Sequence, residues 1–331
     1  MSNRLLHVSG SPHIHGGEST RKIMWSVVIA LIPALVVSVF YFGLPPLIIT
    51  AVSVLSCVLF EHLTCKLFLK TKSTISDGSA VITGMLLAFD RPANLPLGWV
   101  ILGAFVAIVI AKMAFGGLGK NLFNPALVGR AFLLISRPVE MTSWPTPEPI
   151  WGFAQAMTGP TPLGIMKDGL KAGQTPEQIL RTTDGIPDYV QMLMGQMGGS
   201  FGEISALALL IGALFLIIRK VITWHIPVSF LLSALAMASI LYFCNHDLYV
   251  IPWFHLVTGG MILGACFMAT DMVTSPVSPM GMIVFGIGCG VLTIIIRVFG
   301  AYPEGVSFAI LLMNAVTPLI DRAFKPKMFG K

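Results

Sequence analysis

The chain has 331 residues, of which 55% are hydrophobic and only 11% charged, with a formal net charge of +6. A soluble globular chain carries roughly 25% charge, whereas here uncharged apolar runs reach the length of a membrane helix. These features exclude an ordinary soluble enzyme, and the basic surplus reads as lysine and arginine kept on the cytoplasmic face rather than as a nucleic-acid surface.

Residues 1–22 are polar and contain no apolar core of signal-peptide type, so the first membrane helix is expected to direct insertion. Apolar spans are expected over 23–42, 46–69, 98–115, 203–218, 222–243 and 281–299, each read as crossing a core of about 30 Å at about 1.5 Å per residue. Four further segments, 79–89, 124–136, 256–270 and 305–320, are shorter or interrupted. Ten crossings with both termini inside put Lys66, Lys70, Lys112, Lys120, Arg219, Lys220 and the basic tail in the cytoplasm. The segment 137–202 then lies outside, and there acidic residues outnumber basic ones, six to four.

Sliding 98–126 onto 281–309 pairs Gly98 with Gly281, Gly103 with Gly286, Gly117 with Gly300 and Ala126 with Ala309. Five crossings per half is an odd number, so two such halves must face opposite ways, as in inverted-repeat membrane proteins. The expected architecture is an all-α polytopic membrane protein of about ten segments in two inverted five-segment halves, some helices short or broken. Its expected parts are a cytoplasmic segment 1–22, a first membrane half 23–136, an outer loop 137–202, a second half 203–320 and a cytoplasmic tail 321–331.

The short segments end in polar residues. One begins at Ser76–Asp77, a plausible N-cap, and stops at Asp90–Arg91–Pro92; its counterpart stops at Asp271, followed by Pro276 and Pro279. Two readings stand open for Asp90 and Asp271: caps of a tight re-entrant turn, or residues lining a site between broken helices. Arg130 lies within NPALVGRAFLLI, apolar on both sides, where an arginine costs about 2.5–3.5 kcal/mol unless it faces protein or an anion. It reads either as a snorkelling or backbone-paired residue, or as a partner for a phosphate or an electron-rich ring. Asn121 and Asn124, in GGLGKNLFNPA just before it, add amides at a helix start, a setting that favours anions. Lys112 and Arg297, near helix ends, are expected to snorkel.

The five cysteines, Cys57, Cys65, Cys244, Cys266 and Cys289, show no C-x-x-C spacing. They read as small packing residues or as ligands of a metal shared with a partner chain. No G-x-G-x-x-G strand–helix fingerprint and no cysteine cluster for an iron–sulfur centre stands in the chain, so nucleotide and iron–sulfur chemistry are expected in partner subunits.

Four stretches occur together in one order: SPHIHGGESTRKIMWSVVIALIPA, GGLGKNLFNPALVGRAFLL, MTGPTPLG and MATDMVTSPVSPMG. With them the chain resembles the D subunits of Rnf ion-translocating electron-transport complexes, and more distantly the B subunits of sodium-translocating NADH:quinone reductases, over about residues 11–320. The resemblance implies a cell-membrane subunit that carries FMN through a phosphoester to a threonine in a loop outside the cytoplasm. It implies neighbouring subunits with flavins and iron–sulfur centres, a flavin transferase during maturation, and coupling of ferredoxin–NAD oxidoreduction to Na⁺ or H⁺ translocation. A non-covalent riboflavin is a further implication.

By position in TGPT the acceptor is Thr161, with Thr158 and Gly159 as its lead. Where the family's acceptor motif has an acidic residue and an alanine, this chain has Gln155 and Pro160. Pro160 and Pro162 hold the backbone extended around Thr161, and Gly159 permits close approach. Two other functions compete with a redox subunit: a secondary transporter or channel on the same inverted repeat, and a scaffold without cofactor. A covalent flavin spectrum separates the first from both.

Overall fold

A computed structural model describes residues 19–70, 74–147, 158–182, 186–300, 302 and 304–325. The expected acceptor-motif positions 155–157 and most of the two ends expected to be cytoplasmic lie outside the described residues.

The protein is helical almost throughout. The first helices are α1, Thr20–Phe42, and α2, Pro45–Thr64, which a π turn carries on to Leu69. Next come the short α3, Ser79–Phe89, then α4, Leu97–Phe105, prolonged by a π turn through Ile110, and α5, Pro125–Ser136. A two-residue antiparallel pair, β1 Trp144–Pro145 with β2 Thr158–Gly159, leads to α6, Pro162–Lys171. After two short helical segments, Pro176–Thr182 and Tyr189–Met194, come α7, Ala206–Ile218, α8, His225–Cys244, α9, Pro252–Val257, α10, Met261–Leu263 with a π turn to Met268, α11, Pro279–Phe299, and α12, Val306–Ala323.

Among the described residues six helices are long and apolar enough to cross a membrane: α1, α2, α4 with its continuation, α8, α11 and α12. The protein is a multi-pass membrane protein. Helices α3, α5 and α7 are apolar but shorter. Two expectations change. The segment expected to be short at 305–320 is one 18-residue helix, because Pro318 lies in its last turns and does not break it. The span expected over 203–218 shortens to 206–218, since Ser205 caps the helix through Ala208 N and Glu203 is turned to other work.

The boundaries follow from local chemistry. Proline at the first helical position opens α2, α5, α6, α9 and α11, where its missing N–H costs nothing and its fixed φ suits the helix. Asn124, Thr161 and Ser278 cap the three that follow them, their side-chain oxygens accepting from Ala126, Gly164 and Gly281 N–H. Asp77 Oδ1 serves α3 from one residue before its N-cap, accepting from Ser79 N and Ser79 Oγ. Helices pack closely through small residues: a Cβ on Gly290 of α11 would collide with Phe230 O of α8, so the two backbones meet as membrane helices do at glycine. Helix α1 packs on α7, α2 on α3 and α4, α8 on α11, and α5 on α12.

The segment expected as 256–270 is interrupted. Gly259 and Gly260, at φ +63° and +66°, turn the chain between α9 and α10 in a conformation that favours glycine. This break, and the end of α3 at Asp90, bring loops into the protein interior.

Candidate functional site

Among the described residues, buried ion pairs form two groups. In the first, Lys112 Nζ donates to Glu61 Oε2 at 2.6 Å and to Ser79 Oγ at 2.7 Å, while Thr74 Oγ1 donates to Glu61 Oε1. Lys112 is 2% exposed, so it does not snorkel. A buried carboxylate on α2 claims it, and two unpaired charges in its place would each be costly. Beside it lies a cavity of about 90 Å³ lined by Lys112, Asn121, Asn124, Thr270 and Asp271, among others. Asn124 donates to Met268 O and caps α5, and Asn121 donates to Phe123 O. Asp271 accepts from Thr274 Oγ1 at 3.0 Å and from Val273 N, closing a turn at the cavity wall.

The second group gathers around Arg130, which is 5% exposed. Its Nη1 donates to Asp90 Oδ1 at 2.6 Å and to Glu203 Oε1 at 3.0 Å, and its Nη2 donates to Glu304 Oε2. Both terminal guanidinium nitrogens are thus taken by carboxylates from three separate loops. Of the readings open for Arg130, the structure has it facing protein, but the partners are side-chain carboxylates, neither backbone nor the amides of Asn121 and Asn124. Arg297 likewise does not snorkel: it is buried and donates to His255 O, Thr258 O and Gly259 O at the interrupted end of α9. These carbonyls have lost their helical partners, and a guanidinium fork satisfies all three.

Thr161 stands above this group. Its backbone is extended (φ −69°, ψ 157°), its Oγ1 accepts from Gly164 N at 3.1 Å, and the residue is 6% exposed. Two cavities meet at it. One, of about 270 Å³, is lined by Trp144, Thr161, Lys167, Lys171, Tyr302 and Glu304, among others. The other is only about 20 Å³ and includes Ser200, Glu203, Thr258 and again Glu304. Lys167 Nζ donates to Gly300 O at 2.5 Å and to Tyr302 O and Arg297 O, tying α6 to the end of α11. Partial burial, with Lys171 close by, holds the Lys167 ammonium below its usual range. Thr158 is exposed and Gly159 half-buried in β2, where Gly159 pairs with Trp144.

The sequence-derived candidates therefore separate. Thr161, Thr158 and Gly159 lie at one end and Asn121 and Asn124 at the other, with Arg130 linked to the Thr161 side through Glu304. Glu61, Glu203, Glu304 and Lys167 were not singled out from sequence. The signal available was an isolated acid in an apolar context, as in VLFEHL and GSFGEISAL.

Comparison with known proteins places this arrangement in a family. A family model described as NQR2, RnfD, RnfE matches residues 7–330. The chain is 46% identical over 332 residues to the D subunit of the Na⁺-translocating ferredoxin:NAD⁺ oxidoreductase complex of Acetobacterium woodii, covering all of this chain and 97% of that one. It is 43% identical to the D subunit of the proton-translocating ferredoxin:NAD⁺ oxidoreductase complex of Clostridium ljungdahlii, covering 100% and 98%. It is 38% identical to the D subunit of the ion-translocating oxidoreductase complex of Pectobacterium carotovorum, covering 98% of each. On a match that spans nearly its whole length, the chain belongs to the NQR2, RnfD, RnfE family.

Proposed function

We propose that the protein is the flavin-carrying membrane subunit of a complex that couples electron transfer between ferredoxin and NAD to translocation of Na⁺ or H⁺. The full-length likeness to subunits named for that reaction supports the complex. The flavin half of the reading rests on one observation: a nearly buried threonine hydroxyl, at a helix N-cap, facing a cavity lined by Trp144 and Tyr302, by Lys167 and Lys171, and by the acids Asp168 and Glu304.

The residues present fit FMN held by a phosphoester at Thr161. The cavity of about 270 Å³ is close to the lower end of small-molecule sites, roughly 300–1,000 Å³. Trp144 and Tyr302 offer apolar faces for a flat ring, and Lys171 offers charge to a phosphate that stays anionic after esterification. FMN, once attached, supplies the electron-transfer chemistry. The chain's part is to hold it: Thr161 as attachment point, the β1–β2 pair and α6 as rigid flanks, and Lys167 fixing α6 to α11. Attachment calls for a flavin transferase, and electron delivery for partner subunits with flavin and iron–sulfur centres. A second, non-covalent riboflavin belongs to the same proposal.

The layout proposed is ten crossings in two inverted halves, in the cell membrane, with both termini cytoplasmic and 137–202 outside. Supporting it, α1 packs on α7 and α5 on α12, each pair being counterparts in the two halves. An absorption spectrum of the purified subunit, with flavin fluorescence retained after SDS denaturation, tests the reading. A colourless protein from a flavin-replete host carrying the transferase would instead favour a transporter or channel.

A further inference from the structure

With Thr161 read as the FMN acceptor, its hydroxyl is poorly placed to be modified as it stands. The residue is 6% exposed, its Oγ1 accepts from Gly164 N and its carbonyl accepts from Ile165 N, so hydroxyl and backbone are both built into the first turn of α6. Joining FMN to it is a phosphoryl transfer. Threonine Oγ attacks the FMN phosphorus of a flavin dinucleotide: the O–P bond forms, the diphosphate P–O bond breaks, the hydroxyl proton passes to the transferase or to solvent, and a nucleoside monophosphate leaves. No electron changes hands. Attacking and leaving oxygens lie roughly in line, so the nucleotide half of the donor and the transferase around it must have room in front of the hydroxyl. The cavity at Thr161 holds about 270 Å³, already just below the roughly 300 Å³ at which small-molecule sites begin. It suits the product but not the donor with an enzyme around it. The acceptor therefore reacts in a more open form of the protein.

Helix α6 is the part suited to opening. Its buried Leu163 and Met166 do not join the main core but a separate small cluster with Ile179, Met192 and Phe254, among others. Segments that rest on few apolar contacts open locally at low cost. At one end α6 is seated on Gly259, where an added Cβ would lie 2.4 Å from Leu163 Cδ1. The other end is held by charge. Lys167 Nζ donates to Gly300 O at 2.5 Å, Tyr302 O at 3.2 Å and Arg297 O at 3.3 Å, carbonyls at and just beyond the C-terminal end of α11, where a cation complements the helix dipole. Lys167 and Tyr302 both line the cavity that Thr161 faces, so the contact that fixes α6 also closes the cavity wall.

We propose that α6 is a latch on the acceptor: FMN is joined to Thr161 while residues 158–171 are swung out, and Lys167 then closes them over the ester by docking on the end of α11. The latch rests on the reading of Thr161 as acceptor. Lys167 is a positioning residue in it, acting through the placement of α6.

The experiment uses the full-length chain. Chain produced together with the transferase shows first, by intact mass and peptide mapping, whether Thr161 carries FMN. Folded, flavin-free chain produced without the transferase is then mixed in detergent with purified transferase and the flavin dinucleotide, and attachment is followed over time in wild type, Lys167→Met and Lys167→Arg. The latch predicts slow attachment in wild type and attachment about ten-fold or more faster in Lys167→Met, the weight of the charge-assisted hydrogen bonds removed. Lys167→Arg, which can still donate to carbonyls, should stay near wild type. Hydrogen exchange separates unlatching from general loosening: amides of 161–171 should exchange faster in Lys167→Met with α8 and α11 unchanged, and in wild type they should slow once FMN is attached. The wild-type comparison needs no variant, so it carries the test if Lys167→Met does not fold. Equal attachment rates in wild type and Lys167→Met, faster exchange spread over α8 and α11 as well, or α6 amides in flavin-free wild type as protected as those of α11 would each overturn the latch and leave the acceptor in place. Absence of FMN at Thr161 even in the co-produced chain would remove the acceptor reading, and the latch with it.

Discussion

Glu304 Oε2 accepts a hydrogen bond from Arg130 Nη2 across 174 residues of sequence, and Glu304 lines both cavities that meet at Thr161. One side chain thus joins the buried ionic group to the proposed flavin site. Electron density added at Thr161 would be felt by Arg130 through it, in surroundings too dry to screen the charge.

Arg130→Gln should destabilise the protein by about 3–5 kcal/mol, because three buried carboxylates lose their cation at once. Thermal unfolding in detergent measures it. Adding Glu304→Gln should recover part of the loss, since one stranded charge is removed; strictly additive losses would show that the two residues do not interact. In protein that carries flavin, the same Arg130→Gln change should make the midpoint potential more negative, as a positive charge near the ring is gone. An unchanged potential would confine Arg130 to structure.

Glu61 and Lys112 form a buried pair at the opposite end of the protein. Either Glu61→Gln or Lys112→Met alone should cost about 3–5 kcal/mol, while the apolar double variant Glu61→Leu/Lys112→Met should lie much nearer wild type. A double variant as unstable as the sum of the singles would contradict a simple pair.

The proposed orientation makes Lys171 and Lys220 opposite in access. After exposed Cys244 is replaced by serine, single cysteines at 171 and 220 should react with a membrane-impermeant thiol reagent from opposite sides of sealed cells. Labelling of both from one side would remove the inverted layout.

Much of the helical plan is legible in the chain, because apolar runs between prolines and capping residues mark α1, α2, α3, α8 and α11 to within a few residues. The ionic groups are not legible in the same way. Arg130 stands out as a lone charge in NPALVGRAFLLI, but its partners lie 40, 73 and 174 residues away, and helix periodicity says nothing about which distant loop will reach it. Lys112 and Arg297 look like snorkelling residues because they fall near helix ends. Only the fold reveals that α2 brings Glu61 to one, and that the Gly259–Gly260 break offers the other three free carbonyls. The break itself is foreshadowed by two adjacent glycines in HLVTGGMILG.

The most direct measurement is intact-mass spectrometry with peptide mapping on wild type, Thr161→Val and Thr158→Val, each produced with the flavin transferase. Valine keeps the shape of threonine and removes the hydroxyl, at a cost of about 1 kcal/mol for the lost helix cap, so the fold should survive. The account predicts an added flavin mononucleotide on the peptide containing Thr161 in wild type and in Thr158→Val, and none in Thr161→Val. A full-mass adduct persisting in Thr161→Val would contradict it and move the attachment to another residue of the loop, Thr158 first.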